Sequence, residues 1–275
     1  MLNGKTVLIV GEDALMIYSS SAGKSKRLGI LMWDEENLTD RLVGFLLREG
    51  GKKPVQILYD MLEQQYKKEM VPKLSPLDKR SYINRKLQVV FPSNPMRAAY
   101  FLKGEAEENL LKGNTGKDEG NPYIFASIPN VMQFDIIYDA IKKSELQLIG
   151  IGFLPVEATQ FITKLSESKM TDGVKAKWNV LLSVHESGGL RQIITKNGEL
   201  ALTRLTAISA DGADAALWGQ EAGQEFKSTL SYLLRFGYSQ DQSMNIFIVN
   251  ESQDVLQSFK QQLEIQPGIF VGSAS

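Results

Sequence analysis

Apolar residues open the chain in three short runs, 6–10, 14–19 and 27–33, parted by Gly11-Glu12-Asp13 and by Ser20-Ser21-Ala22-Gly23-Lys24. Runs this close together can pair only as an antiparallel meander of three strands. The span 38–48 then predicts a helix ended by Gly50-Gly51, and 55–59 a buried strand. The same βββαβ order returns later. Strands are predicted over 178–184, 190–195 and 200–205, the last two joined by Lys196-Asn197-Gly198-Glu199, and Asn-Gly between alternating runs is a strong hairpin signal. A long helix follows with Ala222, Phe226, Leu230, Leu233 and Leu234 on one face and Gly237 as its C-cap; a strand at 245–249, a helix at 253–263 and a strand at 268–271 complete the pattern.

Between the two repeats the pattern is less regular. Residues 61–103 carry Lys67, Lys68, Lys73, Lys79, Arg80, Arg85 and Lys86 among Pro72, Pro76, Pro92 and Pro95, with a strand predicted around 98–102. This reads as an inserted or lid-like subdomain, near 61–121, whose prolines break the basic stretch into a surface loop. Those cations form either a solvated face or a surface that attracts anionic lipid headgroups or an acidic partner, and Lys67, Lys68, Lys79 and Arg80 are the docking candidates. The polar, glycine-rich span 104–121 reads as a mobile hairpin tip. A strand at 123–127, a helix opened by Pro129-Asn130 with Phe134, Ile137, Tyr138 and Ile141 in one stripe, a strand at 146–153 and a helix opened by Pro155 follow. The repeat is one of topology, not of sequence. It divides the chain into lobes at 1–172 and 173–275, meeting near Thr171-Asp172-Gly173.

Composition narrows the chemistry. In 275 residues, 31 Lys and Arg stand against 32 Asp and Glu, a net charge of −1, which argues against a nucleic-acid binder that works by bulk charge. The absence of Cys excludes a disulfide scaffold, a thiolate zinc site and a Cys nucleophile. With His185 as the single histidine, a metal site would need carboxylates, and a Ser-His-Asp triad would have to run through that residue. No apolar run approaches the length of a membrane span, and the N-terminus enters a strand-like run instead of a signal peptide.

The two meanders, the junction Leu146-Gln147-Leu148-Ile149-Gly150-Ile151-Gly152-Phe153-Leu154-Pro155-Val156-Glu157, the run from Gly188-Gly189-Leu190-Arg191-Gln192 through Asn197-Gly198-Glu199-Leu200 to Thr203-Arg204-Leu205, and the helix Glu225-Phe226-Lys227-Ser228-Thr229-Leu230-Ser231-Tyr232-Leu233 together resemble the actin-like (ASKHA, ribonuclease H-like) fold. Within that fold the chain is most similar to the PilM and GspL group, cytoplasmic proteins of type IV pilus and type II secretion inner-membrane platforms. The resemblance covers most of 1–60 and 123–275, by pattern more than by invariant motif. It implies a two-lobed α/β fold in which each lobe is a mixed sheet opening with a βββ meander.

Catalytic members of the fold hold nucleotide phosphates on the turns of both meanders. Measured against their pattern, the first turn here reads Gly11-Glu12-Asp13 without the Asp-x-Gly order, and Glu12 and Asp13 would meet a phosphate as bare charge unless a cation intervened. The second reads His185-Glu186-Ser187-Gly188-Gly189, with His185 near the place of an Asp; the double Gly that contacts adenosine is replaced by Val249-Asn250-Glu251-Ser252. Gly11, Glu12, Asp13, Gly188, Gly189 and Asn250 thus mark a degraded nucleotide cleft, with ATPase chemistry lost, no resident cofactor or metal, and room only for weak ATP binding. The resemblance further implies a scaffold at the cytoplasmic face of the bacterial inner membrane, docking the pilus or secretion assembly ATPase and inner-membrane platform proteins, with no nucleic acid and a homodimer left open. The end, Phe270-Val271-Gly272-Ser273-Ala274-Ser275, looks like the entry to the last helix of the second lobe, which suggests truncation before a membrane segment. The alternatives are an active actin-like ATPase or kinase using Asp13, Glu12 and Glu186 for the metal, and a metabolite-binding regulator.

Other signals have plainer readings. Gly23-Lys24-Ser25 imitates a phosphate-binding loop but precedes a strand, so it is a hairpin turn. Gly150-Ile151-Gly152 lacks the third Gly of a dinucleotide fingerprint, because Pro155 stands there. His185 beside Glu186 suggests a general base; adjacent strand residues point apart, so a solvent-exposed turn residue is expected. Tyr232 and Phe236 are expected in the core or in lobe packing.

Overall fold

Half-buried and buried residues alternate along β1 (Lys5–Val10), which places it at the centre of a sheet, with Leu8 and Val10 facing a core. The computed structural model describes residues 4–21, 24–104, 106, 120–129, 132–168, 176–185, 189–208, 214–250, 252–263 and 268–274. The chain divides into two compact units, Met1–Leu154 and Pro155–Ser275.

In the first unit β1, β2 (Ala14–Ser21) and β3 (Lys24–Met32) form the predicted meander, with Lys5 opposite Ser20 and Val10 opposite Leu15. Helix α1 (Leu38–Gly44) widens at its end over Phe45–Glu49, where the Gly50 N–H reaches the Phe45 carbonyl five residues back at 2.8 Å. β4 (Val55–Tyr59) then lies parallel to β1.

Next come β5 (Gln65–Val71), α2 (Pro76–Val90), β6 (Met96–Phe101), β7 (Asn121–Ile128), α3 (Met132–Lys143) and finally β8 (Leu148–Phe153), parallel to β4. The main sheet has the order β3-β2-β1-β4-β8, and a second, three-stranded sheet has the order β5-β7-β6. Helix α3 packs on α1, and an ion pair of 3.0 Å joins Lys143 to Asp40 across them.

The basic stretch is therefore not a loop broken by prolines. Pro76 sits in the first turn of α2, where its missing N–H costs nothing, and Ser75 caps that turn by accepting the Asp78 N–H at 3.3 Å. Pro72, Pro92 and Pro95 lie between elements, so the prolines bound the structure that they had been expected to interrupt. Val71, Leu87, Phe91, Tyr123 and Phe125 make a separate small core between α2 and the three-stranded sheet. The expected hairpin tip falls largely on 107–119, outside the described residues.

The second unit begins with α4 (Leu154–Ser168), whose first residue belongs to the first unit. It continues with β9 (Trp178–Val184), β10 (Gly189–Lys196), β11 (Glu199–Ala207), α5 (Ala215–Leu233), β12 (Met244–Val249), α6 (Gln253–Leu263) and β13 (Ile269–Ser273). Its sheet order, β11-β10-β9-β12-β13, repeats that of the first unit strand for strand. Asn197 and Gly198 take φ of 53° and 81°, the two left-handed residues that a two-residue hairpin turn requires. The strand expected at 268–271 is observed as β13, paired parallel with β12, and it runs on through Ser273, where the entry to a helix was expected.

One face of this sheet carries Trp178, Val180, Leu182, Ile194 and Ile246 into a core with Trp218 and Phe226 of α5 and Phe259 of α6. Each such side chain contributes roughly 1.5–3 kcal/mol by burial. The two helices cross closely because Gly219 and Gly223 stand one turn apart. A Cβ at Gly219 would lie 2.6 Å from the Val255 carbonyl oxygen, and one at Gly223 would lie 2.6 Å from the Gln262 Cβ. The opposite face is polar near the amino ends of β9 and β12: the Asn245 amide donates to Asn179 Oδ1 at 3.0 Å and to Ser166 Oγ of α4 at 3.3 Å, which satisfies buried groups that would otherwise be costly.

Candidate functional site

The carboxyl ends of parallel strands are where α/β sheets present ligand-binding groups, and each unit has one such end. In the first unit the turn after β1 closes when the Gly11 N–H donates to the Ala14 carbonyl at 3.0 Å. The Trp33 indole holds the Gly11 carbonyl, also at 3.0 Å. Glu12 turns back on the chain: its carboxylate accepts the backbone N–H of Leu62 just beyond β4. Asp13 alone among the three turn residues is exposed.

Asp60, which no motif marks in the sequence, is buried beside this turn, and its N–H donates to the Val10 carbonyl at 2.9 Å. The available signal was a polar residue directly after an apolar parallel strand. Tyr59, its neighbour, has its hydroxyl pushed above the ordinary range by burial, with the Asp135 charge adding to the effect.

In the second unit the corresponding turn follows β9. The His185 N–H donates to the Gly189 carbonyl at 2.6 Å, and His185 is buried, at 4% exposure, which corrects the expectation of an exposed turn residue. The turn folds its first residue inward, so position in a turn does not fix exposure. Glu186, Ser187 and Gly188 lie outside the described residues. Asn250, at the end of β12, accepts the Ser252 N–H on its side-chain oxygen at 2.8 Å, and its carbonyl accepts the Ser273 hydroxyl at 3.0 Å. Among the described residues no group of three or more His, Asp or Glu is gathered as a metal would require.

Two plainer readings meet the structure differently. Lys24 and Ser25 begin β3, Gly23 lies outside the described residues, and Gly150 and Gly152 lie within β8. Tyr232 and Phe236 are not core residues: they are 44% and 38% exposed, and their rings lie 5.3 Å apart with Arg235 over Tyr232. The buried stripe of α5 runs through Ala222, Phe226, Thr229 and Leu233, and these two rings stand beside it.

The docking candidates separate into two groups. Lys67 and Lys68 are adjacent on β5 and so face opposite sides of the small sheet. Lys67 pairs with Glu69 at 3.0 Å, as does Lys86 at 3.4 Å. Burial alone would raise the Glu69 carboxyl, but hydrogen bonds and charge from Lys67 and Lys86 outweigh it and hold the group below its ordinary value. Lys79 and Arg80, in contrast, line an open groove of about 340 Å³ between α2 and β6, joined there by Arg97, which lies outside the basic stretch of the sequence. Ile83, Leu87 and Ala99 supply its apolar floor.

No family model matches the sequence, and no curated protein is significantly similar to it. Solved structures are similar in fold. A chain of the PilM-PilN type IV pilus biogenesis complex superposes with a TM-score of 0.63 at 13% identity, over 97% of this chain and 87% of that one. A Bacteroides thetaiotaomicron protein with an actin-like ATPase fold and unknown function gives 0.52 at 10% identity, over 98% and 91%. The cytoplasmic domain of EpsL, an inner membrane component of the type II secretion system of Vibrio cholerae, gives 0.46 at 8%, over 96% and 97%. On the first two, the chain has the actin-like fold. In that fold it is similar to the protein of the pilus biogenesis complex along nearly its whole length.

Proposed function

We propose that this protein is a non-catalytic scaffold of a type IV pilus or type II secretion platform, placed at the cytoplasmic face of the inner membrane, where it docks an assembly ATPase and membrane-platform proteins. The observation that carries the reading is the first turn: Glu12 is committed to the Leu62 backbone, and Asp13 is left exposed where a nucleotide phosphate would be repelled. The fold similarity to the PilM-PilN complex supports the same reading. Weak ATP binding through backbone N–H groups is compatible with it, because such groups hold phosphate whatever the side chains are.

One observation favours a second reading, an active actin-like ATPase. Asp60 and Asp13 flank the carboxyl ends of β4 and β1, where metal-holding carboxylates would be useful. Calorimetric titration with ATP and Mg²⁺, paired with a hydrolysis assay, separates the two. The scaffold reading expects no turnover and binding to the N-terminal region of the assembly ATPase. Turnover that disappears in Asp60→Asn or Asp13→Ala would establish the enzyme instead.

A further inference from the structure

The groove between α2 and β6 lies against an open strand edge. β6 is an outer strand of its sheet, so one row of its N–H and C=O groups has no strand beside it among the described residues. Such an edge is a template for an extended chain, and proteins usually blunt it with charge, bulges or a covering element. Here the centre of the strand is Ala98-Ala99, whose side chains leave the approach open.

The face that α2 covers carries Arg97 and Ala99 of β6 beside Tyr123 and Phe125. A strand added to β6 would turn every second side chain toward this face, where Lys79, Arg80 and Arg97 stand. Among the described residues none of the three has a carboxylate partner. The Arg97 guanidinium donates to the Pro92 carbonyl at 3.2 Å. The nearby acids are engaged elsewhere: Asp78 accepts the Ser75 hydroxyl at 2.7 Å, and Glu69 holds Lys67 and Lys86. With a net charge of −1 the chain as a whole does not attract anions, so the attraction is local to this groove.

We infer that this groove binds an extended acidic segment of a partner protein, which adds to β6 as a fourth strand and sets a carboxylate at every second position against Lys79, Arg80 and Arg97. The inference deepens the scaffold reading and rests on it. Backbone pairing supplies affinity that is indifferent to sequence, and the three cations select for acidic side chains. Because Arg80 is exposed and Lys79 and Arg97 are only half-buried, binding weakens as salt is added.

The test is an anisotropy titration of the full chain with a labelled, end-capped octapeptide alternating aspartate and valine. Hydrogen exchange across Met96–Phe101 is followed in the same samples. Binding is expected to fall about tenfold in the double variant Lys79→Glu/Arg80→Glu and again in Arg97→Glu. It should be unchanged in Lys24→Glu/Lys26→Glu, which alters net charge equally on β3, and the peptide should slow exchange in β6. Equal loss in the β3 variant, no protection of β6, or binding only to inorganic phosphate, anionic vesicles or a second copy of the chain would each overturn the inference. ATP turnover by the unaltered chain would instead overturn the scaffold reading while leaving the peptide result standing, so the two failures are distinguishable.

Discussion

The two units share one sheet order and differ in what joins the fourth strand to the fifth. In the second unit β12 reaches β13 by way of helix α6. In the first, β4 reaches β8 only after a complete three-stranded sheet, with helices α2 and α3 among the described residues. The short connection is spent on packing, with α6 pressed on α5 at two glycines over a large aromatic core. The long one builds a basic groove and an open strand edge over a small core of its own. A duplicated frame thus tolerates specialisation at one connection, because the sheet beneath is already complete without it.

Phe226→Ala attacks the tightly packed side of the contrast and is expected to have the largest effect, a loss of about 4 kcal/mol. Urea denaturation measures it, and hydrogen exchange should show faster opening in α5, α6 and β12 with β1 and β4 unchanged. An equal response in β1 would mean that the two cores do not open separately. Gly223→Leu follows, at about 2–3 kcal/mol, because its side chain would push Gln262 and α6 away. Its counterpart Gly44→Ala meets only the flexible end of Arg48 and should leave the denaturation midpoint unchanged or slightly raised.

Glu12→Ala removes the acceptor of the Leu62 N–H and is expected to cost about 1.5 kcal/mol in the first unit, without affecting the second. A change in ATP turnover instead of stability would place Glu12 in catalysis. The smallest effect belongs to Glu69. Its folded carboxyl lies below the ordinary value of 4.5, so its stabilisation is complete above that pH and is lost as pH falls through the lower folded value. Denaturation midpoints of the wild type and Glu69→Gln should therefore converge on acidification; a gap that widens would contradict the ion pairs with Lys67 and Lys86.

Much of the frame was legible because it rests on local pattern. The closely spaced strands 6–10 and 14–19 and the Asn197-Gly198 turn could pair in only one way, and the helix expected at 253–263 is observed as Gln253–Leu263. Within the inserted subdomain the basic stretch reads as a surface loop only if Pro72, Pro76, Pro92 and Pro95 are taken as breaks; a proline at a helix start or between elements breaks nothing. His185 is buried where exposure is expected, and Tyr232 lies outside the core at 44% exposure, since burial depends on what a distant segment places over a residue.

The candidate site divides along the same line. Glu12 and Asp13 could be singled out as a turn, but the partnership of Glu12 with Leu62 spans fifty residues, and only the parallel pairing of β1 with β4 brings them together. Lys79 and Arg80 were visible as charge; the addition of Arg97 and the open edge of β6 required the sheet to form. The strands and helices of the repeated frame, and their order, follow from local pattern, because periodicity and turn chemistry act over a few residues. The tertiary structure decided which charges share a groove and which polar groups are buried, because those depend on contacts between segments far apart in the chain.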